Sequence, residues 1–179
     1  MVKMRLKTER LILREFTMND IDELYVILSD PKSMKYYPAP FTYEKCRQWI
    51  QWNLDNYKKY GFGLWAVTLK EDGKFIGDCG ITMQMIDGSL EPEIGFHINK
   101  MHTRKGYATE AACACRDYAF NTLKLPIVYC YQKYTNVPSQ KTAEKMGMKR
   151  IKQYPDEKNE FTTVYAMTRE TYLTVTATH

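Results

Sequence analysis

The densest run of residues that could do chemistry is Glu93-Ile94-Gly95-Phe96-His97-Ile98-Asn99-Lys100-Met101-His102-Thr103-Arg104-Lys105-Gly106-Tyr107-Ala108-Thr109-Glu110-Ala111. A strand-like half passes through a short basic loop straight into a helix-like half. The first N–H groups of a helix have no partner within it, and the helix dipole adds positive potential there, so the junction is a ready anion site. Gly106 lets the backbone curl close to an anion, while Arg104 and Lys105 add countercharge. A pyrophosphate suits such a site. The same residues also suit an ordinary loop-to-helix turn with two solvated cations, and this segment alone leaves both readings open. Ala108, Ala111, Ala112, Cys115 and Ala119 put small side chains on one side of the helix, which would let it lie close to a sheet.

Other chemistries find less support. No histidine pair stands at helical spacing and no multi-cysteine cluster occurs, so no metal is expected. No Ser-His-Asp pattern emerges. The five cysteines, Cys46, Cys79, Cys113, Cys115 and Cys130, are odd in number and lack a framework spacing, which reads as reduced thiols in a cytoplasmic chain. Cys79 and Cys130 fall in strand-like stretches and read as small buried side chains. His97, inside an apolar strand, reads as packed; His102 reads as loop surface or phosphate-adjacent, and His179 as a terminal residue.

The elements that must position the basic loop follow from periodicity and punctuation. A chain of 179 residues with 44% apolar and 26% charged residues has ordinary globular usage and is expected to form one domain over 1–179 with a sizeable core. Leu11 to Phe16 reads as a strand, and Ile21, Leu24, Tyr25 and Leu28 recur at helical spacing up to Ser29-Asp30-Pro31. Thr42 opens a second helix that ends at Gly61. Strands are expected at 64–69, 74–82 and 91–99, a helix at about 108–123, a strand at 127–131, a short helix at 138–146, and strands at 148–154 and 161–168. Hairpins come first and helical crossovers later, which predicts one mixed sheet with helices on its faces, a mixed α/β class. No apolar stretch reaches 18 residues, which excludes a membrane helix. Lys and Arg are spread from Lys3 to Arg169 with acids among them, so a formal charge of +5 does not form the stripe of a nucleic-acid binder.

Arg104-Lys105-Gly106-Tyr107-Ala108-Thr109-Glu110-Ala111 resembles the coenzyme-A-binding motif of the GCN5-related N-acetyltransferases. Asn136-Val137-Pro138-Ser139 and Glu144-Lys145-Met146-Gly147-Met148 resemble the second signature half of that superfamily. Thr8-Glu9-Arg10-Leu11-Ile12-Leu13-Arg14 is similar to the opening strand of its RimJ/RimL-type branch, which acetylates ribosomal-protein N-termini and related amines. The resemblance spans about residues 8–168. It implies an acyl-CoA N-acyltransferase fold, acetyl-coenzyme A as cosubstrate, and direct transfer to a primary amine on a protein N-terminus or small molecule. It also implies a frequent homodimer. Thr103 stands where relatives often carry glutamine or arginine, so altered detail at the pyrophosphate is expected.

The same resemblance assigns roles. The backbone from Arg104 through Lys105, Gly106, Tyr107 and Ala108 to Thr109 would receive the pyrophosphate. The pantetheine arm would lie between strands ending near Ile98 and Tyr131, with Asn136 and Ser139 near its thiol end. A backbone amide within Ile98, Asn99 and Lys100 would donate to the developing oxyanion. Glu93 is the first candidate for general base, with Glu91 a neighbouring alternative and Glu160 a candidate from across the cleft. Glu93 also reads as an exposed charge near a turn. The tyrosine that commonly protonates the leaving thiolate is replaced by Ala143, leaving Ser139 or solvent. Tyr36, Tyr37, Phe41 and Trp65 are candidates for the acceptor side. A non-catalytic acyl-coenzyme-A-binding module on the same scaffold is the alternative.

Overall fold

A computed structural model describes residues 3–177; His179 lies outside them. In chain order the elements are β1 (Met4–Lys7), β2 (Leu11–Arg14), α1 (Ile21–Leu28), α2 (Tyr43–Tyr60), β3 (Leu64–Leu69), β4 (Phe75–Ile86), β5 (Ser89–Ile98), α3 (Tyr107–Asn121), β6 (Ile127–Lys133), α4 (Val137–Lys145), β7 (Lys149–Asp156), β8 (Glu160–Thr168) and α5 (Arg169–Thr176). Short 3₁₀ turns at Met18–Asp20 and Lys100–His102 precede α1 and follow β5. The expected elements are present with ends shifted by a few residues. β1 and α5 went unread: β1 is four residues of mixed polarity, and α5 buries only Tyr172, which stacks on Phe120 with ring centroids 4.7 Å apart.

All eight strands join one sheet in the order β1-β2-β3-β4-β5-β6-β8-β7. Every neighbouring pair is antiparallel except β5 and β6, which α3 connects as a parallel crossover. Period-two alternation assigns the two faces. On β3, Trp65 and Val67 enter the core shared with α3, whereas Leu64 and Ala66 enter the core under α1 and α2. The small stripe of α3 is realised as Ala111, Ala112, Cys115 and Ala119, all fully buried against the first face. Thr42 caps α2 by accepting the Lys45 N–H at 3.1 Å, and Gly61 closes it with φ of 79°. Among the described residues no helix is long and apolar enough to cross a membrane.

The centre of the sheet tolerates no side chain at Gly80. A Cβ there would sit 2.1 Å from the Gly63 carbonyl oxygen and 2.7 Å from Leu64 Cα, both backbone atoms that cannot swing away. Gly80→Ala is therefore expected to destabilise the fold by about 1–3 kcal/mol. A urea midpoint equal to wild type, at unchanged slope, would show that the strands part there without strain.

Candidate functional site

β5 and β6 run side by side only briefly. Their parallel pairing is confined to Glu93 opposite Tyr129, after which the strands diverge. The direction of the exposed β5 amides follows from its other edge. Asn99 donates its N–H to Ile76 O at 2.8 Å, continuing the unbroken register that sets His97 opposite Asp78 and Gly95 opposite Gly80. Amide directions alternate along an antiparallel ladder, so His97 and Gly95 point to β4, while Phe96 and Ile98 point into the gap. Pro92, which has no N–H, falls on the gap-facing parity. Within the expected range of Ile98 to Lys100 the choice of oxyanion donor narrows at Asn99. Asn99 is committed to Ile76, and its side chain accepts the Met101 N–H at 3.0 Å; Ile98 and Phe96 carry the gap-facing amides.

At the open end of the gap stands the N-terminus of α3. Gly106 is its N-cap with φ of 83°, preceded by Arg104 at φ of 61°. No side chain caps the helix, and the first N–H returned to it is that of Glu110, bonded to Gly106 O at 3.0 Å. The amides of Tyr107, Ala108 and Thr109 are the unpaired donors. Their position is fixed by a network that sequence reading missed. Glu110 accepts from Thr8 Oγ1 at 2.6 Å, from the Arg10 backbone at 2.8 Å and from Arg10 Nε at 2.7 Å. These donors hold the Glu110 carboxyl below its ordinary pKa despite partial burial. Arg10 also donates to Lys105 O at 2.9 Å and lies over the Tyr107 ring at 4.4 Å. The opening motif thus clamps the loop.

Two cavities follow the gap. The outer, about 660 Å³, is walled by Ile98, Lys100, Arg104 and the Gly106–Thr109 turn, and by Asn136 and Ser139 at the start of α4. Lys105 does not line it; its carbonyl is taken by Arg10. His102 is not on the surface: it is buried in the outer cavity wall beside Tyr107, and desolvation, then Lys74 and Lys105, lower its pKa. The inner cavity, about 140 Å³, holds Glu93 with Trp49, Gln84, Tyr131 and Gln132. Tyr36, Tyr37, Phe96, His97, Asn136 and Ser139 line both and mark the junction.

Glu93 is not an exposed charge near a turn. It is 8% exposed, and burial pushes its carboxyl up to about 8, the Thr82 hydroxyl opposing the rise. Ser139 donates its hydroxyl to Gln132 Oε1 at 3.3 Å, and its backbone N–H is capped by Asn136 Oδ1 at 3.3 Å. Ala143 is fully buried, and its methyl offers no acidic proton.

Lys105 and Asn99 aside, three more expected site residues lie elsewhere. Glu160 is exposed at the start of β8 with φ of 67°, and its carboxylate accepts the Tyr134 hydroxyl at 3.1 Å; it lines neither cavity. Trp65 is fully buried in the α3-side core, edge-on to Tyr118, because strand parity turns it from the gap. Phe41 packs edge-on to Trp49 at 5.5 Å and leaves the cavity wall to that tryptophan. One group had no signal in the sequence. Asp78, buried on β4, is hydrogen-bonded to His97 Nδ1 at 2.8 Å and accepts from Trp49 Nε1 at 3.3 Å. Among the described residues no cluster of three or more His, Cys, Asp or Glu could hold a metal ion.

Known proteins share this architecture. The chain is similar to a Bacillus anthracis acetyltransferase of the GNAT family, with a TM-score of 0.80 and 28% identity, covering 95% of this chain and 99% of that one. An Agrobacterium tumefaciens str. C58 acetyltransferase superposes with a TM-score of 0.79 at 31% identity, covering 90% of this chain and 92% of the other. In sequence the chain is 38% identical over 147 residues to the uncharacterized protein YkkB of Bacillus subtilis (strain 168), spanning 82% of this chain and 86% of YkkB. The family model described as "Acetyltransferase (GNAT) domain" matches residues 10–149. With that match over most of its length, and with the opened parallel strand pair leading to an uncapped helix N-terminus, the chain belongs to the GNAT acetyltransferase family.

Proposed function

We propose that the chain transfers the acetyl group of acetyl-coenzyme A to a primary amine whose nitrogen enters the inner cavity, by direct transfer within a ternary complex. The observation that carries this reading is the continuity of three kinds of group along one path. Unpaired helix amides line its outer end, unpaired strand amides its middle, and a buried carboxyl its inner end.

The residues fit the carrier. Tyr107, Ala108 and Thr109 offer N–H groups to a diphosphate, and Arg104 supplies charge beside them. Ile98 and Phe96 offer strand amides to the pantetheine arm and the thioester oxygen, with Asn136 and Ser139 on the opposite wall. Acetyl-coenzyme A would supply an activated acyl group. The protein supplies proximity, worth about 7 kcal/mol or more in favourable cases.

Glu93 is assigned the proton of the incoming ammonium. Its raised pKa makes it a better-matched base near neutrality than an ordinary carboxylate. A carboxyl enclosed in the cavity also favours catalysis over a module that merely holds the carrier. The acceptor, whether a small amine or a protein N-terminus, must present a compact head. The inner space of about 140 Å³ is close to one that admits a benzene-sized guest. Its aromatic walls suit an apolar group next to the nitrogen, while resemblance of the Thr8–Arg14 segment to the RimJ/RimL-type branch supports a protein α-amine. Thiol release with acetyl-coenzyme A and a panel of butylamine, phenethylamine, spermidine and alanine-initiated peptides tests the reading directly. Absence of amine-dependent release across the panel would count against it.

Gly106→Val places a branched side chain at φ of 83°, a conformation costing about 1–2 kcal/mol for an L-residue. Coenzyme A affinity is expected to fall about tenfold, which corresponds to about 1.4 kcal/mol. Calorimetric titration of the folded variant checks this, and an unchanged Kd would place the diphosphate elsewhere.

Glu93→Gln is expected to lower kcat about 100-fold or more while leaving coenzyme A affinity unchanged. In wild type the activity should rise with pH through about 8 as Glu93 ionises, and the variant should lose that limb. The sign for stability is opposite. Between the ordinary value of 4.5 and about 8 the native state holds a proton that the unfolded chain has released, so stability falls as pH rises through this window. Melting curves of the variant should be flatter over the same range; parallel curves would remove Glu93 as a buried titrating group.

A further inference from the structure

Acetylation of an ammonium removes two protons from nitrogen. One leaves before attack and is assigned to Glu93; the other leaves as the C–N bond forms, while the departing sulfur needs a proton as the C–S bond breaks. The side chain at the position expected to serve the sulfur is the buried methyl of Ala143. Ser139 already directs its hydroxyl to Gln132.

His97 is the candidate for the second proton. It lines both cavities and therefore stands at their junction. Asp78 lies directly opposite on β4, is fully buried, and is hydrogen-bonded to Nδ1 at 2.8 Å. Its other oxygen accepts the Trp49 indole N–H at 3.3 Å. In a neutral ring, a bond to an ionised Asp78 puts the hydrogen on Nδ1 and leaves Nε2 its lone pair. That Nε2 is buried and makes no hydrogen bond with any described residue. A histidine kept only to satisfy Asp78 needs one nitrogen, whereas this one also holds a second that is unpartnered and closed to solvent. Tyr37 and Trp49 hold the ring in place, with centroids at 5.2 and 6.1 Å.

The surroundings keep the route open. Glu93, Gly95 and His97 share one face of β5 by alternation, and a Cβ at Gly95 would lie 3.1 Å from Glu93 Oε2. The glycine therefore leaves space between the carboxyl and the imidazole. The titratable and charged groups around the ring are Asp78 from β4, Glu93 from β5, Tyr36 and Tyr37 from the segment before α2, and Cys130, Tyr131 and Lys133 from β6 on the far side of the inner cavity.

We propose that His97 carries the second proton from the acceptor nitrogen to the departing sulfur, with Asp78 and Trp49 as its positioning residues. Nε2 takes the proton as the C–N bond forms, Asp78 stabilises the imidazolium, and Nε2 returns the proton to sulfur as the C–S bond breaks. The ring ends in its starting state, and the proton held by Glu93 passes to solvent. This inference rests on the acetyl-transfer reading above.

Two measurements test it. Nitrogen-15 NMR of the intact protein with labelled histidine, the His97 signal assigned by its loss in His97→Ala, should show the Nδ1–H tautomer. Asp78→Asn should disturb it. In the thiol-release assay with the best amine of the panel, His97→Ala should lower kcat about 100- to 1,000-fold, with coenzyme A affinity within twofold of wild type. Added imidazole should recover part of the loss, a response that a purely structural role would not give. A wild-type Nε2–H tautomer, or a folded His97→Ala retaining kcat within threefold, would overturn the shuttle and leave acetyl transfer standing. If wild-type protein acetylates none of the amines, the reading beneath the shuttle fails and takes the shuttle with it, whatever the tautomer.

Discussion

The parting of β5 from β6 after Glu93 meets Tyr129 leaves backbone donors that a continuous sheet would have paired. Buried N–H groups without partners are costly, and folded chains keep few of them. Here the donors of Phe96 and Ile98 open onto a gap whose far end carries three more, those of Tyr107, Ala108 and Thr109. The rest of the molecule keeps this opening in place. α3 is drawn against the sheet by its small buried stripe, and its first turn is tied to the start of β2 through Arg10 and Glu110. Once that position is set, the loop from Thr103 to Gly106 has little choice of path.

The acidic and aromatic groups around the opening gain their character from the same geometry. Glu93 sits where the two strands still touch, so it is enclosed, and its carboxyl holds a proton far above the usual carboxylate range. Tyr37 at the junction and Trp49 in the inner wall help close the inner cavity to about 140 Å³. Water exclusion strengthens the interactions of any charge placed there.

Much of this was legible in the residues. The hairpins, the crossover helix and the mixed sheet follow from alternation, glycine turns and the small stripe of α3, and the Arg104–Thr109 turn was marked by its glycine and cations. Parity misled where two faces are both buried. Trp65 looked available for a pocket, but β3 is enclosed on every residue, and periodicity does not tell which side of such a strand meets the gap. Glu160 lay at the right end of a strand in sequence, yet the neighbouring turn directs it to Tyr134. His97 read as packed, and it is, but its pairing with Asp78, 19 positions away, is made only through the β4–β5 register. The Arg10–Glu110 clamp is likewise a pairing across 100 positions that no local pattern carries.

The most direct test of the account follows the backbone amides themselves. Amide NMR of the intact protein titrated with coenzyme A should show its largest shifts, and slowed hydrogen exchange, at Phe96, Ile98, Tyr107, Ala108 and Thr109. Saturable binding that left these five amides unmoved while shifting others would contradict the assignment of the opened strand pair and the α3 N-terminus as the carrier's seat.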